Sequence, residues 1–304
     1  MKNCISNRGI AKRVVLVFVC MLMAAALFGC SGGEHGLPIE VDISAGVDLT
    51  AEPVVVTEEP TAAPTEIPTP EPTAAPTEAP TAAPTQAVNP APTGRKVYIT
   101  FDDGPCKNTP EVLDILKRYN IKATFFTIGR MVKQNPETAK RIAEEGHLLA
   151  CHTMSHDLTI IYQNPEAFLK DVNAWRETVR DAVGYDAGAY FYRFPGGSPS
   201  AGGRSGRGKY VEAMHEAGYV GFDWNLAFND AWAAGNTENL PLKEYYWKSY
   251  QETYSWYKDK DPLILIIHDT YKDSVEILPR VIEDLIAKGF EFGLVSELTD
   301  DYLM

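Results

Sequence analysis

The sequence predicts an α/β domain built on a parallel sheet, and three observations support this. Residues 94–304 are enough chain for one domain with a sizeable hydrophobic core. Along them, short apolar runs alternate with helical patterns. Titratable residues stand directly after several of these runs. Seven strands in alternation favour either a closed, barrel-like sheet or an open doubly wound one, and both place active sites at the C-terminal ends of strands.

Helices and strands can be assigned along residues 97–295. The first helix has the clearest signal, because residues 109–111 combine an N-cap threonine, a first-turn proline and a first-turn acid ahead of an apolar stripe. The predicted strands are 97–101, 123–128, 147–151, 190–194, 219–223, 263–267 and 290–295. The other predicted helices are 136–145, 165–183, 209–217, 242–257 and 274–288.

Residues 1–30 have the features of an export signal. Basic residues precede an apolar run from Val14 to Phe28, which is shorter than the ~20 residues of a membrane-spanning helix. Residues 27–30, Leu-Phe-Gly-Cys, resemble a bacterial lipobox, which implies that Cys30 becomes the lipidated first residue of the mature protein. We therefore expect an extracytoplasmic protein, anchored to the cell envelope through a lipid on Cys30 or secreted. An uncleaved anchor is the alternative.

Residues 31–93 are predicted to be a disordered stalk. Threonine, proline, alanine and glutamate dominate from about Glu52, and the sequence Thr-Ala-Ala-Pro-Thr recurs at Thr61, Thr73 and Thr81. Such a segment has almost nothing to bury, and its prolines favour extended geometry. The whole chain carries a net charge of -13 and has no basic arm, so we expect no nucleic-acid partner.

Two cysteines, Cys106 and Cys151, lie in the predicted domain 94–304. In an exported protein they could form a disulfide, and two ordinary buried thiols are the alternative. The sequence leaves both open.

Residues 203–209 fit the spacing of a phosphate-binding loop. Tyr210 stands where such a loop needs serine or threonine, and no strand directly precedes the motif. We therefore expect no bound nucleotide and predict a flexible basic loop at the rim of the site.

Two histidines and a pair of acids form the strongest candidate site. Asp102 and Asp103 end the first predicted strand, and Gly104-Pro105 bends the chain after them, so both carboxylates can reach one site. His152 and His156 follow the third strand, four residues apart, which is one turn if the chain there is helical. Two histidines and one of the acids would hold a metal ion with open positions for water and substrate.

These residues belong to five segments that resemble the ordered motifs of the polysaccharide deacetylase family (NodB homology domain, carbohydrate esterase family 4). The segments are Thr-Phe-Asp-Asp-Gly-Pro at 100–105, His-Thr-Met-Ser-His at 152–156, Arg-Phe-Pro-Gly-Gly at 193–197, the stretch 223–230, and Leu-Ile-Ile-His-Asp at 265–269. The resemblance covers about residues 96–295. It implies a distorted (β/α)7-type barrel with the active site at the C-terminal ends of the strands.

The resemblance also assigns roles to the candidate site. It implies that Asp103, His152 and His156 hold a divalent metal, with zinc expected and cobalt, nickel or manganese as alternatives. Asp102 stays off the metal and serves as general base. Arg193 pairs with Asp102, which keeps the carboxylate ionised and oriented.

His268 is implied to give a proton to the leaving amine. Either Asp223 or Asp230 could be the acid that tunes it, and we predict Asp230. The chain departs from the common pattern at Gly196-Gly197, where the family often has an aromatic residue. The expected substrate contacts are Gly196, Trp224 and Ile266. The backbone N–H of Gly196 could help to hold an oxyanion. The rings of Trp224 and Trp232 could stack on sugars, or they could belong to the core.

Together these features predict a metal-dependent hydrolase that removes N-acetyl groups from a polysaccharide containing GlcNAc or MurNAc. Peptidoglycan is the expected polymer, because an anchor and a stalk would hold the enzyme near the cell wall. The alternatives are an acetyl-xylan or other O-acetyl esterase, a non-haem iron oxygenase, which also uses two histidines and a carboxylate, and a non-catalytic glycan-binding module. A glycosidase is disfavoured, since acids adjacent in sequence rarely face each other across a sugar. We expect a monomer.

Overall fold

The computed structural model describes residues 93–187, 190–233, 237 and 239–303. The predicted signal at 1–30 and the predicted stalk, apart from Thr93, lie outside these residues. Thr93 donates its backbone N–H and its hydroxyl to the carbonyl of Gly289, at 3.0 and 2.9 Å, which joins the beginning of the domain to its far end. Among the helices of the described ranges, none combines the length and the apolar character that crossing a membrane requires.

Eight parallel strands form one sheet in the described residues. The strands are β1 (Lys96–Asp102), β2 (Thr124–Thr127), β3 (Leu148–Cys151), β4 (Phe191–Tyr192), β5 (Val220–Gly221), β6 (Leu226–Ala227), β7 (Leu263–His268) and β8 (Glu291–Phe292). Their hydrogen-bonded order is β5-β4-β3-β2-β1-β7-β6, and β8 pairs with the beginning of β1. Each of the seven predicted strands overlaps an observed one. Only β6 was not predicted, because it lies in a run of only three apolar residues between Asn225 and Asn229.

The connection between β5 and β6 requires the sheet to curl. These strands stand at opposite ends of the seven-strand order, so a flat sheet would separate them by about 29 Å, at ~4.8 Å per strand. Only residues 222–225 join them, and the five Cα–Cα steps from Gly221 to Leu226 span at most about 19 Å. The sheet therefore bends into the barrel-like form that the resemblance implied.

Eight helices lie in the described residues. They are α1 (Thr109–Arg118), α2 (Gly129–Gln134), α3 (Pro136–Glu144), α4 (Leu158–Ile161), α5 (Pro165–Val183), α6 (Gly203–Glu216), α7 (Leu242–Tyr257) and α8 (Lys272–Ala287). The short helices α2 and α4 were not predicted. The prediction of a flexible loop at 203–209 was wrong, because α6 begins at Gly203. Its glycines have weak helix propensity, and the helix is held instead by the buried side chains of Tyr210 and Met214.

The two faces of the sheet have different surroundings. Every second residue of a strand points outward and packs with the helices in the larger hydrophobic core. These outward residues include Ile99, Phe101, Phe125, Leu149, Leu265 and Ile267. The alternate residues point into the curl and form a smaller cluster of Tyr98, Phe126, Ala150, Phe222, Ile264 and Val295. Because side chains alternate along a strand, this inward face continues at the C-terminal strand ends into Thr100, Asp102 and His268. The barrel interior therefore changes from apolar to polar where the candidate site lies.

Candidate metal centre and active site

Asp102 and Asp103 reach the same site because the backbone changes conformation between them. Asp102 is the last residue of β1, points inward and is 1% exposed. Asp103 has a φ of 72°, in the left-handed region, which turns the chain out of the strand. Its Oδ1 lies 3.5 Å from Nε2 of both His152 and His156, and Oδ2 of Asp102 lies 3.7 Å from Nε2 of His152.

The two histidines meet through a loop and not through the helical turn that their spacing suggested. Residues 152–157 form no helix, and both Thr153 and His156 have positive φ, at 67° and 53°. This conformation folds the chain back on itself, so the imidazole centroids of His152 and His156 lie 5.0 Å apart. The helical turn that the spacing would allow is therefore not formed by these residues, although the two rings still converge.

Three side chains have the arrangement of a metal-binding site. One ligand atom each from Asp103, His152 and His156 lies within 4.8 Å of the others. The Asp103 Oδ1 atom is buried and makes no hydrogen bond in the structure, a costly state for a carboxylate unless a cation completes it. Two imidazoles and a carboxylate are a donor set suited to a divalent transition metal. The residues therefore fit a metal ion.

His152 is prepared for this role by its surroundings. Its Nδ1 lies 3.0 Å from the backbone carbonyl of Arg193, which can only accept, so Nδ1 carries the proton and Nε2 presents its lone pair to Asp103. Burial lowers the pKa of His152 to about 3, and the neighbouring His156 acts in the same direction. The ring is therefore neutral at physiological pH, which is the form that binds a metal.

Arg193 is the most connected side chain of the site and is completely buried. Its Nη1 donates to Asp102 Oδ1 at 2.6 Å and to Thr100 Oγ1 at 2.8 Å, and its Nε donates to the carbonyl of Phe222 at 2.8 Å. The guanidinium also lies 4.1 Å from the ring centroid of Phe126, which is a favourable cation–π contact. Arg193 therefore links Asp102 at the end of β1 to β2 and to the loop that follows β5.

Arg193 favours the ionised form of Asp102, in the direction that the resemblance implied, but burial acts against it. Burial raises the pKa of the Asp102 carboxyl above its ordinary value, and the charges of Arg193 and His268 oppose this only in part. A carboxylate with a raised pKa binds a proton more readily, which suits a general base.

His268 and Asp102 are cross-strand neighbours, since their Cα atoms are register partners of β7 and β1. The Asp230 carboxylate accepts from His268 twice, with Oδ1 2.7 Å from Nδ1 and Oδ2 2.8 Å from the backbone N–H. Ser274 donates to the same Oδ2 at 2.7 Å. Burial by itself lowers the pKa of His268, but the charge and hydrogen bond of Asp230, with smaller contributions from Asp102 and Asp103, raise it to about 9. His268 is therefore protonated at neutral pH.

Asp223, the other acid considered as a partner for His268, contacts a different loop. Its Oδ1 accepts from the Ser198 backbone N–H at 2.9 Å and its Oδ2 accepts from the Ser198 hydroxyl at 2.5 Å. The turn before Ser198 needs both glycines, because Gly196 and Gly197 have φ of 76° and 79°. A Cβ on Gly197 would lie 3.1 Å from the Trp224 ring, so Trp224 covers this turn. Asp223 therefore shapes the rim and does not contact the imidazole.

The other expected contacts are divided between rim and interior. Gly196 is exposed at the rim, Trp232 is 56% exposed, and Trp224 is partly buried beside Arg193. Ile266 is only 5% exposed and lies two residues before His268 on the inward face of β7. Cys106 and Cys151 are both free thiols, so they form no disulfide.

Several residues that support the site were not predicted. Thr100 bonds Arg193 within the barrel, and Asp171 on α5 bonds the loop between the two histidines. Asp269 is fully buried, and the hydroxyl of Thr109 donates to its Oδ2. The side chain of Asn108 donates to the Asp269 carbonyl at 2.9 Å, which ties the loop after β1 to the loop after β7. A period-two pattern of apolar residues contains no signal for such contacts between loops.

Comparison with known proteins gives consistent matches. Residues 89–220 match the family described as polysaccharide deacetylase. A peptidoglycan-N-acetylglucosamine deacetylase of Bacillus cereus is 32% identical over 213 residues, which cover 67% of this chain and 70% of the relative. A peptidoglycan-N-acetylmuramic acid deacetylase of Bacillus subtilis is 28% identical over 210 residues, covering 67% and 71%. The crystal structure of the catalytic domain of a peptidoglycan N-acetylglucosamine deacetylase from Eubacterium rectale superposes with a TM-score of 0.60, at 28% identity, over 73% of this chain and 99% of that one.

Proposed function

This chain belongs to the polysaccharide deacetylase family, and from that premise we propose that it removes N-acetyl groups from GlcNAc or MurNAc residues of peptidoglycan. The main support is that a candidate metal centre, a buried carboxylate and a protonated histidine lie together at one end of the sheet. Hydrolysis of an amide needs an activated carbonyl, a base for water and an acid for the leaving nitrogen, and this group of residues can supply all three. Relatives named for each of the two sugars support peptidoglycan as the polymer.

Asp103, His152 and His156 are the residues that would hold the metal. When bound, a divalent ion polarises the amide carbonyl and lowers the pKa of a water molecule. We propose zinc, because two imidazoles and one carboxylate are a common protein environment for it and leave a position open.

Asp102 is proposed as the base that accepts the proton of the attacking water. Its Oδ1 is occupied by Arg193, while Oδ2 lies on the side of His152 Nε2 and is the oxygen available to accept a proton. The raised pKa of the buried carboxyl, described above, increases its affinity for that proton. The water oxygen then forms the new bond to the acetyl carbon.

His268 is proposed as the acid that completes the cleavage. Asp230 occupies Nδ1, so Nε2 is the ring nitrogen free to donate. When the C–N bond breaks, the nitrogen leaves with its electron pair and takes the proton from His268, which gives a free amine on the sugar and releases acetate. Trp224, Gly196 and the exposed Trp232 are proposed to contact the polymer at the rim.

We also propose that the protein works outside the cytoplasm near the cell wall, held by a lipid on Cys30. The lipobox-like sequence and the stalk composition support this location. At about 3.1 Å per residue, the proline-rich segment from about Glu52 to Thr93 would reach on the order of 100 Å when extended.

The proposed activity is tested by mass spectrometry of peptidoglycan, chitin oligomers and acetylated xylan after treatment with the purified protein. We expect loss of acetyl from peptidoglycan, with the affected sugar identified in the released disaccharides. Chelation and the variant Asp103→Ala should both abolish the loss. Unchanged acetylation on all three polymers by metal-loaded protein would contradict the proposal, and release from xylan alone would favour an esterase.

A further inference from the structure

The loop between His152 and His156 holds a conformation that it would not adopt alone. Thr153 and His156 both have left-handed φ, and for a β-branched residue such as Thr153 this is a genuine outlier. Such conformations are unfavourable and persist only where the surrounding structure enforces them. Other contacts must therefore hold this loop in shape.

Hydrogen bonds to the loop come from several directions. The backbone N–H groups of Gly129 and Arg130 donate to the carbonyls of Thr153 and Met154, at 2.9 and 3.1 Å. Within the loop, the His156 N–H donates to the Thr153 hydroxyl at 3.1 Å. The Thr153 N–H donates to Cys151 Sγ at 3.3 Å, and the N–H groups of residues 154 and 155, at the tip of the loop, both donate to α5.

A single oxygen atom on α5 receives both of these groups. Oδ1 of Asp171 accepts from the Met154 N–H at 2.6 Å and from the Ser155 N–H at 2.9 Å. Trp175, one turn further along the helix, is fully buried, and its Nε1 donates to Thr127 Oγ1 at 3.1 Å. The helix is thus fixed to β2, and the Asp171 oxygen is fixed relative to the sheet end that carries His152.

We propose that Asp171 is a positioning residue of the metal centre, which holds the 153–155 turn so that His156 reaches Asp103 and His152. The inference rests on the proposed metal site but concerns a residue that would not touch the metal. Because one oxygen accepts both N–H groups, the role requires an acceptor at that point and not a negative charge. This separates a positioning role from a general electrostatic attraction of the cation.

Three substitutions at this position distinguish the two roles. Asp171→Ala removes the acceptor. Asp171→Asn keeps an acceptor oxygen at the same distance along the side chain but removes the charge, and Asp171→Glu keeps the charge but moves the oxygen by one methylene. Asp181→Ala is the matched control, since Asp181 is an exposed acid on the same helix.

The measurement is metal binding by the metal-free protein. Zn²⁺ affinity is obtained by competition with a chromophoric chelator, and the visible spectrum of added Co²⁺ reports the ligand geometry. We expect at least tenfold weaker binding and an altered Co²⁺ spectrum for the alanine variant, as for other residues that orient metal ligands. The asparagine variant should bind nearly as well as the wild type, the glutamate variant should resemble alanine, and the control should be unchanged.

The outcomes are distinct from those that test the activity. Unchanged Zn²⁺ affinity in Asp171→Ala would overturn the positioning role, and so would an asparagine variant as weak as the alanine one. If the alanine variant does not fold, the comparison of asparagine with glutamate decides the question. A wild-type protein that binds neither metal would instead refute the proposed metal centre itself.

Discussion

Asp230→Asn is expected to shift the basic limb of the pH–activity profile to lower pH. In the wild type, Asp230 is the main reason that the pKa of His268 is about 9 and not below its ordinary value of 6.5. Asparagine has the same shape but no charge, so we expect the pKa to fall to about 6.5 or lower. At pH 8 a group with a pKa of about 9 is roughly 90% protonated, and one with a pKa of about 6.5 is roughly 3% protonated. The variant should therefore be about thirtyfold less active at pH 8.

The sign of the effect follows from the proton that His268 must donate. The active form exists below its pKa and is lost as the pH rises, so the defect should shrink towards pH 6 and grow towards pH 8. The assay is the ratio of kcat/KM between variant and wild type from pH 6 to 9, in which titrations common to both cancel. Asp223→Asn is the control, because Asp223 contacts Ser198 instead, and its ratio should not depend on pH. A ratio for Asp230→Asn that stays constant over this range would refute His268 as the acid tuned by Asp230.

Three further predictions concern the metal and the stability of the site. Asp103→Ala should lose its bound metal, as measured by elemental analysis after dialysis, and a stoichiometric ion in the variant would contradict the ligand assignment. Arg193→Met leaves the buried Asp102 without its partner and should lower the free energy of unfolding in urea by about 3–5 kcal/mol, part of which the added change Asp102→Asn should restore. Gly197→Ala forces a left-handed alanine against the Trp224 ring and should cost about 1–3 kcal/mol by calorimetry, whereas Gly208→Ala, at an open helical position, should be neutral or stabilising.

Much of the site was predictable because it obeys the geometry of parallel sheets. Asp102, His152 and His268 each follow an apolar run directly, and strand ends of a parallel sheet meet at one edge. The assignment of Asp230 over Asp223 rested on weaker grounds. Both acids lie near the same short strands, and only the path of the loop after β6 brings Asp230 to His268.

The remaining features depend on packing that a single sequence does not reveal. The spacing of His152 and His156 fits a helical turn equally well, and threonine rarely adopts the positive φ that the loop uses. Asp171 lies on the same face of α5 as the buried Phe168 and Trp175, but this position does not reveal which loop the acid contacts. The glycines of α6 predict a loop until Tyr210 and Met214 are seen to be buried. Sequence patterns therefore locate residues on strands better than they locate contacts between loops.

The pairing of β1 with β7 also restricts when the site can form. Asp102 and His268 become neighbours only through this pairing, and the two strands are far apart along the chain. A ribosome must therefore synthesise the chain beyond His268 before the proposed base and acid can meet. Long-range parallel pairing is also slow compared with local folding. Nascent chains that end before β7 would carry the metal ligands without the proton donor, so hydrolytic competence arises only late in biogenesis.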